Sequence, residues 1–494
     1  MSRFHLVACL AASLSLTACG AGGSDTEVDV AFIGNSGELF ETGLRLAPAG
    51  QQIRSATAEG LVSLNQAGEV VPALAERWIV TEDGLSYIFR LRNTEWPDGT
   101  TLTSNSVRDA LRRNIQAVRG TSLGLDLAKI AEIRAMTGRV VEVRLESPMP
   151  EFLQLLAQPE LGLRRGRQGV GPQGVGPMKL TRQGDIALLD AVQPELRGLP
   201  AEEDWETRIR TVRVQALPAE QAVEAFDTGA VDAVFNGTLA SLPLADTGAL
   251  SRGTVRLDAA LGLFGIQVVG ERGLLATASG REAIAMAIDR PNLLQPFNIG
   301  GWVPTTRIVA PDLPGDQGIV GERWAGMSLD QRQAEAARRV SAAGGSAGYS
   351  RNLTIAMPTG PGSDLLLREL AEDLATVGLT LSRASGNATP DLRLVDRLAR
   401  YADARWYLNQ FNCSLKRGLC SAEADSLLRQ AGGSADAARS AALLAEAETK
   451  LTASNAYIPI GAPIRWSLVR SGVDGFSENR WGLHPLFPLA LRPI

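Results

Sequence analysis

The chain has 494 residues, 45% hydrophobic and 21% charged, with Lys+Arg 49 against Asp+Glu 54 for a formal net charge of −5. A single hydrophobic core stops growing at roughly 250–300 residues, so two or three lobes are expected. The ordinary composition excludes a disordered chain and a multispan membrane protein, and the mild acidity offers no footprint for nucleic acid.

The chain opens with MSRFHLVACLAASLSLTACG, in which Arg3 precedes an apolar run from Leu6 to Leu16 and then small residues. This predicts a signal peptide over residues 1–18, too short to span a bilayer as a stable helix. Leu16-Thr17-Ala18-Cys19 also matches the bacterial lipobox, so Cys19 is expected to carry lipid, with 19–25 as a tether. A plain signal peptide with an incidental Cys19 is the alternative.

VDVAFIGN (28–35) then reads as a strand ending in a Gly/Asn loop, and LSYIFRLR (85–92) and VVEVRLES (140–147) alternate as half-buried strands do. Between the last two, Trp96-Pro97-Asp98-Gly99 predicts a tight turn, with Thr103 or Ser104 capping a helix that starts near Val107. Helical spacing marks 106–118, 218–229, 280–294 and 363–378. The Gly/Pro crowd of 164–177 predicts a linker or hinge; its spacing fails the phosphate-loop pattern, because Pro177-Met178-Lys179 follow Gly176. A second soft point, 341–350, precedes the strand 352–358. Besides Cys9 and Cys19 only Cys413 and Cys420 remain, with Gly418 between them, which suits a disulfide across a short loop; two free buried thiols are the other reading.

The catalytic inventory is thin. Beyond the signal peptide the one histidine is His484, so imidazole-based nucleophilic catalysis and metal sites lack partners, and no second Cys or His cluster accompanies the cysteine pair for zinc. No catalytic residue, metal or cofactor is expected. Trp78, Trp96, Trp302, Trp406 and Tyr407 suit a core as readily as the wall of a ligand cleft.

Residues 59–111 carry an ordered string: Glu59-Gly60-Leu61, Pro72 to Trp78, Asp83 to Tyr87, Leu91-Arg92, then Trp96 to Thr100. GVGPMKL (174–180), AFDTGAVDAVF (225–235), GREAIAMAIDRPNLL (280–294), CSAEADSLLRQA (420–431) and YIPIGAPIRWSLVRSGVDGF (457–476) continue it. Together they resemble the bacterial extracellular solute-binding proteins of family 5, the peptide, nickel and related binding proteins of ABC importers, over nearly the whole chain. The resemblance implies an α/β, two-lobed periplasmic-binding-protein-like clamp of type II, with three domains and a discontinuous first lobe. Lobe I would hold 26–60, 172–258 and 460–494; 61–171 would form the appended domain II and 259–459 lobe III. It implies no enzyme. The expected function is a lipid-anchored, periplasm-facing monomer that captures a peptide or peptide-like small solute and delivers it to a membrane permease.

Peptide-binding relatives carry Trp-x-x-Asp-Tyr-x-(Asp/Glu)-Pro-x-x-Phe-Leu, whose first Asp pairs with the peptide amine. Aligned on Tyr401, RLARYADARWYL (397–408) puts Arg397 at the Trp and Arg400 at that Asp, and a guanidinium repels an ammonium while suiting a carboxylate or phosphate. The expected ligand contacts are Arg400, Tyr401, Asp403 and Trp406, together with an Asn-Ser pair in the loop after the first strand, its contacts placed at positions 36 and 37. A sensor without a permease and a cleft hydrolase using paired carboxylates are the competing functions.

Overall fold

A computed structural model describes residues 26–167, 171–245, 253–311, 313, 316, 318–344, 350–386 and 388–492. The signal peptide, Cys19 and the tether lie outside the described residues, as do 345–349 of the second soft point.

Three sheets organise the chain. The largest runs in the order Met178–Gln183, Ile186–Ala191, Thr211–Leu217, Glu27–Ile33, Ala233–Thr238, Arg465–Val469, Val255–Asp258. Glu27–Ile33 pairs parallel on both sides, and the near-continuous apolar run that the sequence shows there is what burial on both faces demands: Val30, Ala31 and Phe32 are all enclosed. The second sheet runs Thr380–Arg383, Asn352–Ala356, Leu392–Leu398, Gly262–Val268, Tyr457–Gly461, and every residue of Gly262–Val268 is buried. The third is an antiparallel sheet, Ala75–Val80, Ser86–Leu91, Val140–Leu145, Ile130–Met136, whose alternating inner face packs with Val107, Ala110 and Leu111 of the helix Ser104–Ala117.

The seven-stranded sheet takes strands from three separate stretches of chain, and the backbone passes between it and the five-stranded sheet twice, after Asp258 and after Gly461. The result is an α/β two-lobed clamp with a discontinuous first lobe and the four-stranded unit appended. At the first passage Gly262 has φ +155, and a Cβ there would lie 1.9 Å from the Arg397 carbonyl oxygen. Only glycine fits that approach.

Local expectations met varied outcomes. The Gly99 amide closes the predicted turn on the Trp96 carbonyl at 2.8 Å, and the Trp96 indole donates to Ser106 Oγ at 3.0 Å. Thr103 and Ser106 form a reciprocal capping box, which starts the helix at Ser104, earlier than Val107. The helical run 280–294 is broken into Ala278–Ala287 and Arg290–Leu293, because Pro291 lacks the amide that a continuous helix needs and tolerates only a first turn. The 164–177 stretch, read as a linker, forms a ladder of Arg164–Arg167 against Gly171–Gly174. Cys413 and Cys420 are joined in a disulfide with Cα atoms 5.2 Å apart. Among the described residues no helix is long and apolar enough to cross a membrane.

Candidate functional site

A cavity of about 420 Å³ is lined by residues of the seven-stranded sheet, of the five-stranded sheet and of the appended unit. Phe32 and Asn236 reach it from the seven-stranded sheet, Leu64, Ser122 and Gln158 from the appended unit, and Asp396 to Arg400, Trp406, Gln410 and Arg417 from the side of the five-stranded sheet. Arg465, the loop Trp481 to His484, Pro159 and the helix Pro48–Thr57 through Pro48, Gln51 and Gln52 complete the wall. A wall assembled from all three units can be closed or opened by their relative motion.

The polar groups of the wall are largely tied to one another. Arg400 grips Glu160 with two hydrogen bonds of 2.7 Å and donates to Gln158 Oε1 at 2.9 Å, while Gln158 returns a bond of 3.1 Å to the Arg400 carbonyl. Burial works against the Arg400 charge, but the Glu160 carboxylate outweighs it and holds its pKa above the usual guanidinium value. Arg465 pairs with Asp396 at 2.7 Å. His484 Nε2 lies 3.1 Å from Asp258 Oδ2, so this histidine is a buried residue of the cavity wall held by a carboxylate. Two arginines of the wall, Arg397 and Arg417, share only the side-chain oxygen of Gln410, at 3.3 and 3.5 Å.

Of the six positions expected at the site, the structure brings Arg400 and Trp406 to this cavity. Trp406 is almost wholly enclosed and meets the Tyr407 ring edge-on at 4.9 Å. Tyr401 is fully buried outside the cavity wall, beside Asp126. Asp403 caps the helix Ala404–Asn409, accepting from the Arg405 amide at 2.7 Å, and lines a second cavity of about 340 Å³. There Lys129 is pushed down to about 8 by burial and then Arg405, and Glu151 up to about 7 by burial and then Asp403. The contacts placed at positions 36 and 37 need correction. The Asn-Ser pair is Asn35 and Ser36, which line a third hollow away from the main cavity, with Asn35 donating to Glu38 at 2.9 Å. Position 37 is Gly37, exposed in the short helical turn Ser36–Phe40; it has no side chain to offer a ligand and lines none of the three cavities. The pairing of Arg400 with Asp396 or Asp403, the plain alternative to ligand contact, gives way to Glu160, which lies in the appended unit and is distant in sequence.

Arg417, Arg465, Gln410 and Trp481 belong to the wall without having been singled out in the sequence. A signal existed for the first: within 391–417, Arg393, Arg397, Arg400, Arg405, Lys416 and Arg417 face only Asp391, Asp396 and Asp403. Arg465 and Trp481 lie too far along the chain for any local pattern to join them to it.

The sequence family described as bacterial extracellular solute-binding proteins, family 5 Middle, matches residues 69–416. The periplasmic oligopeptide-binding protein OppA of Escherichia coli K12 is 22% identical over 463 residues, 85% of this chain and 84% of that protein. Among solved structures, Haemophilus influenzae OppA in complex with RPPGFSPFR superposes with a TM-score of 0.79 at 16% identity, covering 95% of this chain and 99% of that one. The murein tripeptide binding protein MppA of Escherichia coli gives 0.78 at 18% identity, covering 96% and 100%. At such identities these superpositions speak for the fold.

Proposed function

The chain belongs to the bacterial extracellular solute-binding proteins of family 5, and from that premise we propose that it captures a peptide or peptide-like small solute and hands it to an ABC permease. The observation that carries this reading is the cavity of about 420 Å³ walled by all three units, because a ligand bound there bridges them and favours the closed clamp. Relatives named for oligopeptides and murein peptides support the ligand class. The protein acts by binding and no covalent step is involved; the cavity wall presents one carboxylate, Asp396, and Arg465 holds it.

In this reading lobe I comprises 26–60, 172–258 and 460–494, domain II 61–171 and lobe III 259–459, and the clamp works as a monomer. Removal of 1–18 leaves Cys19 to carry acyl chains, with 19–25 as tether, so that the clamp faces the periplasm. Cys19→Ala should abolish both acyl labelling and membrane partition; a variant that retained them would remove the anchor from the proposal.

Thermal denaturation in the presence of a panel of di- to pentapeptides tests the binding function. A ligand that binds only the native state raises the transition by about 2.7 kcal/mol of stability at a hundredfold excess over Kd. A panel in which no peptide moved the transition would sink the peptide assignment.

A further inference from the structure

Among the described residues, no carboxylate pairs with two guanidiniums of the cavity wall. Arg397 is the penultimate residue of the strand Leu392–Leu398, and Arg417 sits inside the ring closed by the Cys413–Cys420 disulfide. Neither forms an ion pair among the described residues. Their shared bonds to Gln410, at 3.3 and 3.5 Å, are long beside the ~2.7–2.9 Å of charge-assisted contacts. Arg393, on the same strand and the same face as Arg397 by the two-residue alternation, donates to the Arg417 carbonyl at 3.0 Å and adds a third positive charge behind them.

Burial first, and then the neighbouring positive charges, lower the pKa of both. Arg397 is pushed down to about 10 by burial, then by Arg417 and Arg393, and Arg417 is lowered by burial, Arg393 and Arg45. The other two arginines of the wall are matched, Arg400 by Glu160 and Arg465 by Asp396, so the unbalanced charge is that of Arg397 and Arg417, gathered around Gln410. Holding like charges together costs stability, and a free loop would relieve the cost by swinging Arg417 into solvent. The disulfide ring restrains the backbone that carries Arg417.

We propose that Arg397 and Arg417, backed by Arg393, form the anchoring subsite for a dianionic head group, so that the solute carries two carboxylates or a phosphate at one end. Planar guanidiniums bind such oxygens in pairs, and two negative charges match both arginines where a single carboxylate leaves one unanswered. The inference rests on the solute-binding reading and adds the charge of the ligand.

Isothermal titration of the mature chain with Ala-Ala-Glu, Ala-Ala-Gln, citrate and O-phosphoserine tests it. The expected result is that Ala-Ala-Glu or one of the two small anions binds at least about tenfold more tightly than Ala-Ala-Gln. Arg397→Gln and Arg417→Gln should each erase that preference while leaving the ligand-free Tm unchanged or raised, because repulsion is relieved. Citrate against O-phosphoserine tells carboxylates from phosphate. Equal affinity for the two peptides, with neither small anion bound more tightly than they are, overturns the subsite and leaves the peptide function standing. Binding of citrate or O-phosphoserine with neither peptide supports the subsite and overturns the peptide function. No heat from any of the four, or variants with lowered Tm and an intact preference, overturns the subsite.

Discussion

Asp126 is a carboxylate with no exposed surface, accepting from Asn409 Nδ2 at 2.6 Å. Burial, against the smaller pull of Asn409 and Tyr401, pushes its pKa up to about 7. The folded pKa lies above the unfolded one, so the proton stabilises the fold fully below pH ~4, and that contribution is lost as pH rises through about 7. Asp126→Asn should therefore gain on the parent by a few kcal/mol between pH 4 and pH 8, at about 1.4 kcal/mol per unit of pKa difference. Denaturant midpoints showing the same gap between parent and variant at both pH values would refute it. Arg400 is governed by its partner in a similar way. Glu160 is enclosed while Arg400 keeps 24% of its side chain open, so breaking the pair costs about 2–3 kcal/mol, below the 3–5 of a fully buried one. Arg400→Asp sets a second carboxylate against Glu160 and should lower Tm further than Arg400→Gln; equal melting temperatures would contradict the pairing.

Among the elements, the disulfide ring has the clearest local physics. The Cys413 amide donates to the Asp425 carboxylate at 2.9 Å, which pins the ring to the helix Ala422–Gly433. Cross-linking so short a loop stabilises by roughly 2–3 kcal/mol in the chain-entropy account. Cys413→Ser with Cys420→Ser should lose about that much in denaturant unfolding, and trypsin, which cuts at Lys416 and Arg417, should leave the two halves joined until reduction. Separate peptides without reductant would overturn the pairing. The helices follow a different rule. One cap was readable, at Thr103, and the broken helix before Leu294 shows a local rule, proline's missing amide, overriding apolar spacing.

For the whole molecule, closure is the central question. The two passages between the large sheets are short, and at the first of them Gly262 has no room for a side chain beside the Arg397 carbonyl. Gly262→Ala must displace the strand that carries Arg397, so it should weaken both stability and binding, and X-ray scattering should show a smaller radius of gyration when a bound peptide closes the parent clamp. A ligand that binds without any compaction would exclude the clamp mechanism. By itself the sequence determined the alternating elements, the turn at Trp96, the cysteine pair and the family, because each rests on residues near one another or on an ordered string. The motif of peptide-binding relatives, aligned on Tyr401, pointed to Arg400 and Trp406, and both line the cavity. Only the tertiary structure decided that Arg400 belongs to Glu160, that Asp396 belongs to Arg465, and that Arg397 and Arg417 are left facing the cavity unmatched. Charge balance depends on which partners a fold brings within about 3 Å, and Glu160 reaches Arg400, and Asp396 reaches Arg465, only once segments distant in the chain have packed together.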